Sequence, residues 1–274
     1  MWTSNCSRFH CFQSRLAQAA AATDQRLRFA PPPATVSVSS DDMELGGRVM
    51  IVTGASSGIG AATARLAHRQ GANLVLAARR ADRLALLEEE LPGSVAVRTD
   101  VTDPLAILQL RDRALEVFGV IDILVNNAGQ GLHVPLTEVQ RDDFRAVWEL
   151  NVVAPLALMQ AVLPTMALKG AGSIVNVSSG TSLMVLPGLG AYAATKSALN
   201  MLSKVAREEF AAAGVIVSLV YPGITQSEFH SSLRAGSKPA GASGWAGAPA
   251  EVVAETILGV VRSGEAEARP PPPR

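Results

Sequence analysis

Residues 50–60 read MIVTGASSGIG: a short apolar run closing on Thr53, then glycines at Gly54, Gly58 and Gly60. The run does not alternate polar with apolar residues, so it reads as a strand covered on both faces. From Ile59 onward the pattern becomes helical. Small residues between strand and helix let the backbone turn tightly and approach a pyrophosphate. The helix that follows would aim free N–H groups and the positive end of its dipole at that anion. Three glycines alone mark only a turn. Placed after the first strand of a domain and at the start of a helix, they point to dinucleotide binding. Gly54, Ser56, Ser57, Gly58, Ile59 and Gly60 are the candidate contacts.

Working outward, the same alternation continues. Strands are expected over residues 48–53, 73–78, 95–99, 121–126, 173–178 and 215–221, each rich in Val, Ile and Leu. Helices are expected over 59–70, 81–90, 104–118, 141–168 and 189–213, with Pro155 kinking the fourth. Strand–helix–strand repetition implies a parallel sheet with helices on both faces. The fold expected is a single α/β domain over residues 45–264, a Rossmann-type doubly wound sheet of six to seven strands. The last ten residues, EAEARPPPPR, are expected to be unstructured. A proline run cannot donate sheet hydrogen bonds, which puts a seventh strand in doubt.

Composition narrows the classes. The chain has 274 residues, 48% of them hydrophobic, and 24 basic residues balance 24 acidic ones. One full-sized core is therefore expected, with no nucleic-acid partner. Apolar runs are interrupted before the roughly 18–20 residues a membrane helix needs, so no membrane association is expected. Two cysteines, Cys6 and Cys11, exclude a disulfide framework, and no metal site is expected. Residues 1–44 differ from the rest: Arg8, Arg15, Arg26 and Arg28 precede a Pro-rich stretch, and no acid appears before Asp24. They read as a disordered extension of a cytoplasmic protein, with organelle targeting by residues 1–42 as the alternative. Met43 would be a natural start for the domain.

TGASSGIG resembles the cofactor turn of the short-chain dehydrogenase/reductase family, which spaces its glycines Gly-x-x-x-Gly-x-Gly. The resemblance extends over residues 46–261 and implies an NAD(P)-dependent oxidoreductase. In such enzymes an acidic residue at the end of the second strand binds the adenosine ribose. Here that strand ends Ala78-Arg79-Arg80, without Asp or Glu. A guanidinium would pair with a 2′-phosphate that a carboxylate would repel. NADP(H) is therefore expected rather than NAD(H), with Arg79 as phosphate ligand, Arg80 as its backup, and the Ser57 hydroxyl nearby. The resemblance also implies cofactor contacts from Asp100 and Val101, from Asn127, Ala128 and Gly129, and from Pro222, Gly223, Ile224 and Thr225. By itself Asp100 could equally be a helix cap before Pro104, and the other segments plain turns.

Tyr192 and Lys196 stand four residues apart on one expected helix, hence on one face. A nearby ammonium would stabilise the phenolate and let Tyr192 exchange a proton with a carbonyl or alcohol oxygen. The resemblance implies a second role for Lys196, hydrogen-bonding the nicotinamide ribose. It implies that Ser179, thirteen residues before Tyr192, orients the substrate oxygen, in preference to Ser178. It implies that Asn151 holds a water leading from Lys196 to solvent. Residues 181–186 are largely apolar and 226–248 suit a mobile lid; His133 and Phe229 are further candidates for the pocket wall. The substrate expected is a small apolar carbonyl compound or secondary alcohol. Homodimers or homotetramers are expected by analogy. The competing readings are a non-catalytic NADP(H)-sensing regulator or scaffold on the same fold, and sugar-nucleotide epimerase or dehydratase chemistry.

Overall fold

The computed structural model describes residues 44–237 and 247–272, so the N-terminal extension and its cysteines lie outside the described residues. One parallel sheet of seven strands organises the domain, in the order β3-β2-β1-β4-β5-β6-β7. The strands are β1 (Val49–Thr53), β2 (Asn73–Ala78), β3 (Val95–Arg98), β4 (Ile123–Asn126), β5 (Gly172–Val177), β6 (Val215–Val220) and β7 (Glu267–Ala268). Between them run α1 (Gly58–Arg69), α2 (Ala81–Glu90), α3 (Pro104–Phe118), α4 (Arg141–Trp148), α5 (Ala154–Lys169), α6 (Gly190–Phe210) and α7 (Ala250–Ser263). Strand order reverses between β1 and β4, and ligand crevices of doubly wound sheets open there, beyond the carboxyl ends of the strands.

Alternate residues of each strand feed two cores. On one face Met50, Val52, Leu74 and Leu76 pack with Ala64 of α1, Leu84 of α2 and Ile257 of α7. On the other, Ile51, Val75 and Ile174 pack with Leu110 of α3, Leu158 and Met159 of α5 and Ala206 of α6. All of β1 and β5 is buried, as their unalternating sequences require.

Two expectations are corrected, and one omission is filled. The expected helix over 141–168 is broken by a π-helical turn, Glu149–Val153, in which the Ala154 N–H donates five residues back, to the Glu149 carbonyl. Pro155 explains it: without an N–H it cannot close the α-helical bond to the carbonyl four residues earlier, that of Asn151. The whole run Arg141–Lys169 is long and apolar enough to cross a membrane by length and composition alone. Here Leu158, Met159, Val162 and Met166 bury its apolar side against the sheet.

Residues 265–272 are not a featureless tail. Glu267 and Ala268 pair in parallel with Leu219 and Val220 as β7, and Tyr221 donates its amide to the Ala268 carbonyl at 3.0 Å. The prolines begin only at Pro270, so the preceding residues keep their N–H groups, and an edge strand needs only one neighbour. Lys204 anchors Glu267 at 2.7 Å, and the Tyr221 hydroxyl donates to it at 3.1 Å. Finally, the sequence reading left residues 250–263 unassigned, although Val253, Ala254, Ile257, Leu258 and Val261 recur at helical spacing and are all buried in α7.

Candidate active site

The glycine turn is packed to the limit. Gly54 has φ 66°, in the left-handed region, and an added Cβ there would lie 2.8 Å from Asn127 Nδ2. A Cβ on Gly60 would lie 2.4 Å from the Gly54 carbonyl oxygen. Turn and helix therefore touch backbone to backbone, which holds the α1 N-terminus against the strand end. Ser57 at the N-cap makes no side-chain capping bond, and the first turn of α1 carries no acid. Its amides suit an external anion. Gly60→Ala is expected to destabilise the fold by about 1–3 kcal/mol, because the obstructing atom is main chain and cannot swing aside. Thermal unfolding checks it; an unchanged melting temperature would contradict this packing.

The β4 end is tied to the turn. Asn127 Nδ2 donates to the Thr53 carbonyl at 2.9 Å. Thr53 Oγ1 accepts from the amides of Asn127 and Ala128 at 3.0 and 3.1 Å. Asn126 Nδ2 reaches across to Asn176 Oδ1 on β5 at 2.8 Å. These bonds align the chain past Gly129 along the crevice. At the end of β3, Asp100 is not the helix cap; Asp103 is, accepting from the Leu105 amide at 2.9 Å. Asp100 Oδ1 accepts from the amide and hydroxyl of Thr102. Burial opposes its ionisation, but those donors and the Arg79 charge outweigh it and hold the carboxyl below its usual range. Val101 beside it is buried.

The two arginines at the end of β2 diverge. Arg79 is exposed, with its charge felt by Asp100. Arg80 turns back over the glycine turn instead. Its Nη2 donates to Ser56 Oγ at 2.9 Å and Ser57 Oγ at 2.7 Å, and its Nε to Ser56 Oγ at 3.1 Å. The residue ranked second in sequence is the one the structure brings to the turn.

Ser179, Tyr192 and Lys196 meet beside the carboxyl end of β5. The Tyr192 phenol is hydrogen-bonded to Ser179 and almost fully buried. Burial pushes its pKa up to about 12, and the Ser179 hydroxyl pulls the other way. Lys196, one turn later on α6, donates from Nζ to the Val177 carbonyl at 2.9 Å. Burial lowers its pKa to about 8. The Ser178 hydroxyl points elsewhere and donates to Asn200 Oδ1 at 2.5 Å. Ser179 Oγ accepts from the amide and hydroxyl of Thr181, at 3.2 and 2.9 Å.

Asn151 lies in the π-turn, fully buried. Its Oδ1 accepts from the Gln130 amide at 3.0 Å, and its Nδ2 donates to the Gln130 carbonyl at 2.9 Å and to Thr195 Oγ1 at 3.1 Å. A Cβ on Gly129 would lie 3.1 Å from Asn151 Oδ1 and 3.4 Å from Lys196 Nζ. The β4 end, the π-turn and α6 thus converge on one point. Gln130 and Thr195 were not singled out in the sequence. A polar residue beside each candidate was the only signal for them, and it does not discriminate.

Segments after β6 close the other side. Pro222 accepts at its carbonyl from the Gly180 amide at 2.8 Å, Ile224 from the Ala248 amide at 2.8 Å, and Thr225 Oγ1 donates to the Gly223 carbonyl at 3.1 Å. A short 3-10 turn, Glu228–Ser231, then brings Phe229 to 5.7 Å from the Tyr192 ring, with the rings tilted. His133 sits 5.9 Å from Tyr192 and 5.7 Å from His230. Burial and the neighbouring His230 both lower the His133 pKa. His133 and Phe229, expected as wall residues, therefore flank the phenol; His230 joins them unforeseen.

A family profile described as short chain dehydrogenase matches residues 48–238. An uncharacterized oxidoreductase of Staphylococcus aureus is 35% identical over 182 residues, 66% of this chain and 79% of that relative. Among solved structures, a short-chain dehydrogenase/reductase from Burkholderia phymatum in complex with NAD aligns with TM-score 0.75 and 28% identity, over 82% of this chain and 89% of its own. An alcohol dehydrogenase from Thermococcus sibiricus complexed with 5-hydroxy-NADP aligns with TM-score 0.72 and 27% identity, over 81% and 95%.

Proposed function

Because this chain belongs to the short-chain dehydrogenase family of oxidoreductases, we propose that it is an NADP(H)-dependent enzyme that interconverts a small apolar carbonyl compound and its secondary alcohol. The observation that carries this reading is the buried phenol of Tyr192 on the Ser179 hydroxyl, with Lys196 one helical turn away. A phenol held protonated at neutral pH is an acid in place for a carbonyl oxygen, and a nucleotide sensor needs no such group.

The bound dinucleotide would be held by the turn from Gly54 to Gly60, by Asp100, by the backbone of 127–129 and by residues 222–225. When bound, it would supply the hydride for carbonyl reduction or accept the one released on alcohol oxidation. Ser179 donates a hydrogen bond to the substrate oxygen as charge develops there. Tyr192 donates the proton that completes the hydroxyl and takes it back in the reverse direction. Lys196, when charged, stabilises the resulting phenolate. Asn151, in the π-turn, would hold a water that passes protons between Lys196 and solvent. The apolar residues 181–186 and Phe229 favour an uncharged substrate. Arg80, placed among the turn's serine hydroxyls with no acid at the end of β2, favours the phosphorylated nucleotide.

An NADPH-consumption screen over aldehydes, ketones, quinones and 3-oxoacyl compounds, with NADH as control, tests this reading; no turnover on the whole panel would end it. The pH profile adds a second check. Burial lowers the Lys196 pKa to about 8, so its charge is favoured below that pH and lost above it. Carbonyl reduction is therefore expected to be level at neutral pH and to fall as pH rises past about 8. Equal reduction rates at pH 7 and pH 9 would contradict the assignment of Lys196.

A further inference from the structure

The guanidinium assigned above to the nucleotide phosphate already holds an anion from this chain. Arg80 Nη1 donates to Glu228 Oε2 at 2.8 Å, while Arg83 Nη1, one turn into α2, donates to Glu228 Oε1 at 2.6 Å. The carboxylate bridges the two arginines, and the other donors of Arg80 reach the Ser56 and Ser57 hydroxyls. The next residue back, Ser227, lies against the turn itself: a Cβ on Gly58 would sit 2.9 Å from the Ser227 Cβ. The next residue forward, Phe229, packs on Tyr192. One short segment thus spans from the arginine pair to the phenol.

We infer that Glu228 is an internal competitor for the 2′-phosphate of NADP(H), a carboxylate that latches the segment after β6 onto Arg80 and Arg83 and must be displaced when that phosphate binds. This rests on the NADP(H) reading. A planar carboxylate and a tetrahedral phosphate each present a pair of anionic oxygens to the same fork of donors. They also repel each other, so Arg80 cannot serve both at full strength. The two guanidinium bonds keep the Glu228 carboxyl ionised, its pKa lowered to about 2, so the rival anion is present at any working pH. Arg80, Arg83 and Glu228 all have side chains more than 40% exposed, and exposed ion pairs are weak enough to exchange. NADH brings no phosphate there and would leave the latch closed.

The test compares 2′,5′-ADP with 5′-AMP, and NADPH with NADH, by calorimetric titration of the wild-type chain and of Glu228→Gln. The amide keeps the shape of the carboxylate and removes its charge. E228Q is expected to tighten 2′,5′-ADP and NADPH about 3- to 10-fold and to leave 5′-AMP and NADH unchanged. A wild-type chain that binds 5′-AMP as well as 2′,5′-ADP would overturn the cofactor assignment together with this inference. A wild-type preference for 2′,5′-ADP that E228Q leaves unaltered, weakens, or matches with equal tightening of 5′-AMP would overturn the latch alone.

Discussion

Tyr192→Phe is expected to lower kcat by about 10²- to 10⁴-fold while leaving dinucleotide affinity within a small factor of wild type. The substitution removes one oxygen and keeps the ring that packs on Phe229 and His133. The Ser179 hydroxyl loses one partner but keeps those from Thr181. Folding should therefore survive, and only the proton donor is lost. Single-turnover rates with saturating NADPH, beside a direct binding titration, separate the two effects. Retained turnover would mean that another group protonates the substrate oxygen, and His133 would be the first to examine. Lost binding together with lost turnover would mean that the phenol is structural.

Arg80→Ala is expected to raise the NADPH dissociation constant about 10- to 100-fold and to leave NADH binding nearly unchanged. The range follows from removing charge-assisted bonds to a phosphate, each worth about 1.5–3 kcal/mol. The same change made at Arg79, which is exposed and makes no contact with the turn serines, should cost less. Titrating each variant with both nucleotides decides between the arginines. A larger loss at Arg79 would restore the ranking suggested by the sequence; a loss of NADH affinity equal to that of NADPH would show that Arg80 shapes the turn rather than reading the phosphate.

How far the sequence could be read depended on whether a feature was local. Strands β1 to β6 lay within two residues of expectation, because each is an unbroken apolar run closed by a breaker. Of the two serines, chosen by spacing in favour of Ser179, Ser178 is hydrogen-bonded to Asn200 and Ser179 to the phenol. The π-turn was visible only as a proline in the wrong place. β7 was judged from the prolines that follow it, although Glu267 and Ala268 needed only the free edge of β6 to pair. Glu228 carried no signal at all: its partners are 148 and 145 residues away along the chain.

By itself the sequence determined the doubly wound sheet, the glycine turn and the Tyr-x-x-x-Lys face, because hydrophobic period, backbone freedom at glycine and helical spacing are written within a few residues of one another. Only the tertiary structure decided which arginine reaches the turn, and that a glutamate from beyond β6 occupies the arginine pair. Those outcomes depend on where distant segments are brought by packing, and side chains settle on whichever partner the fold places within reach.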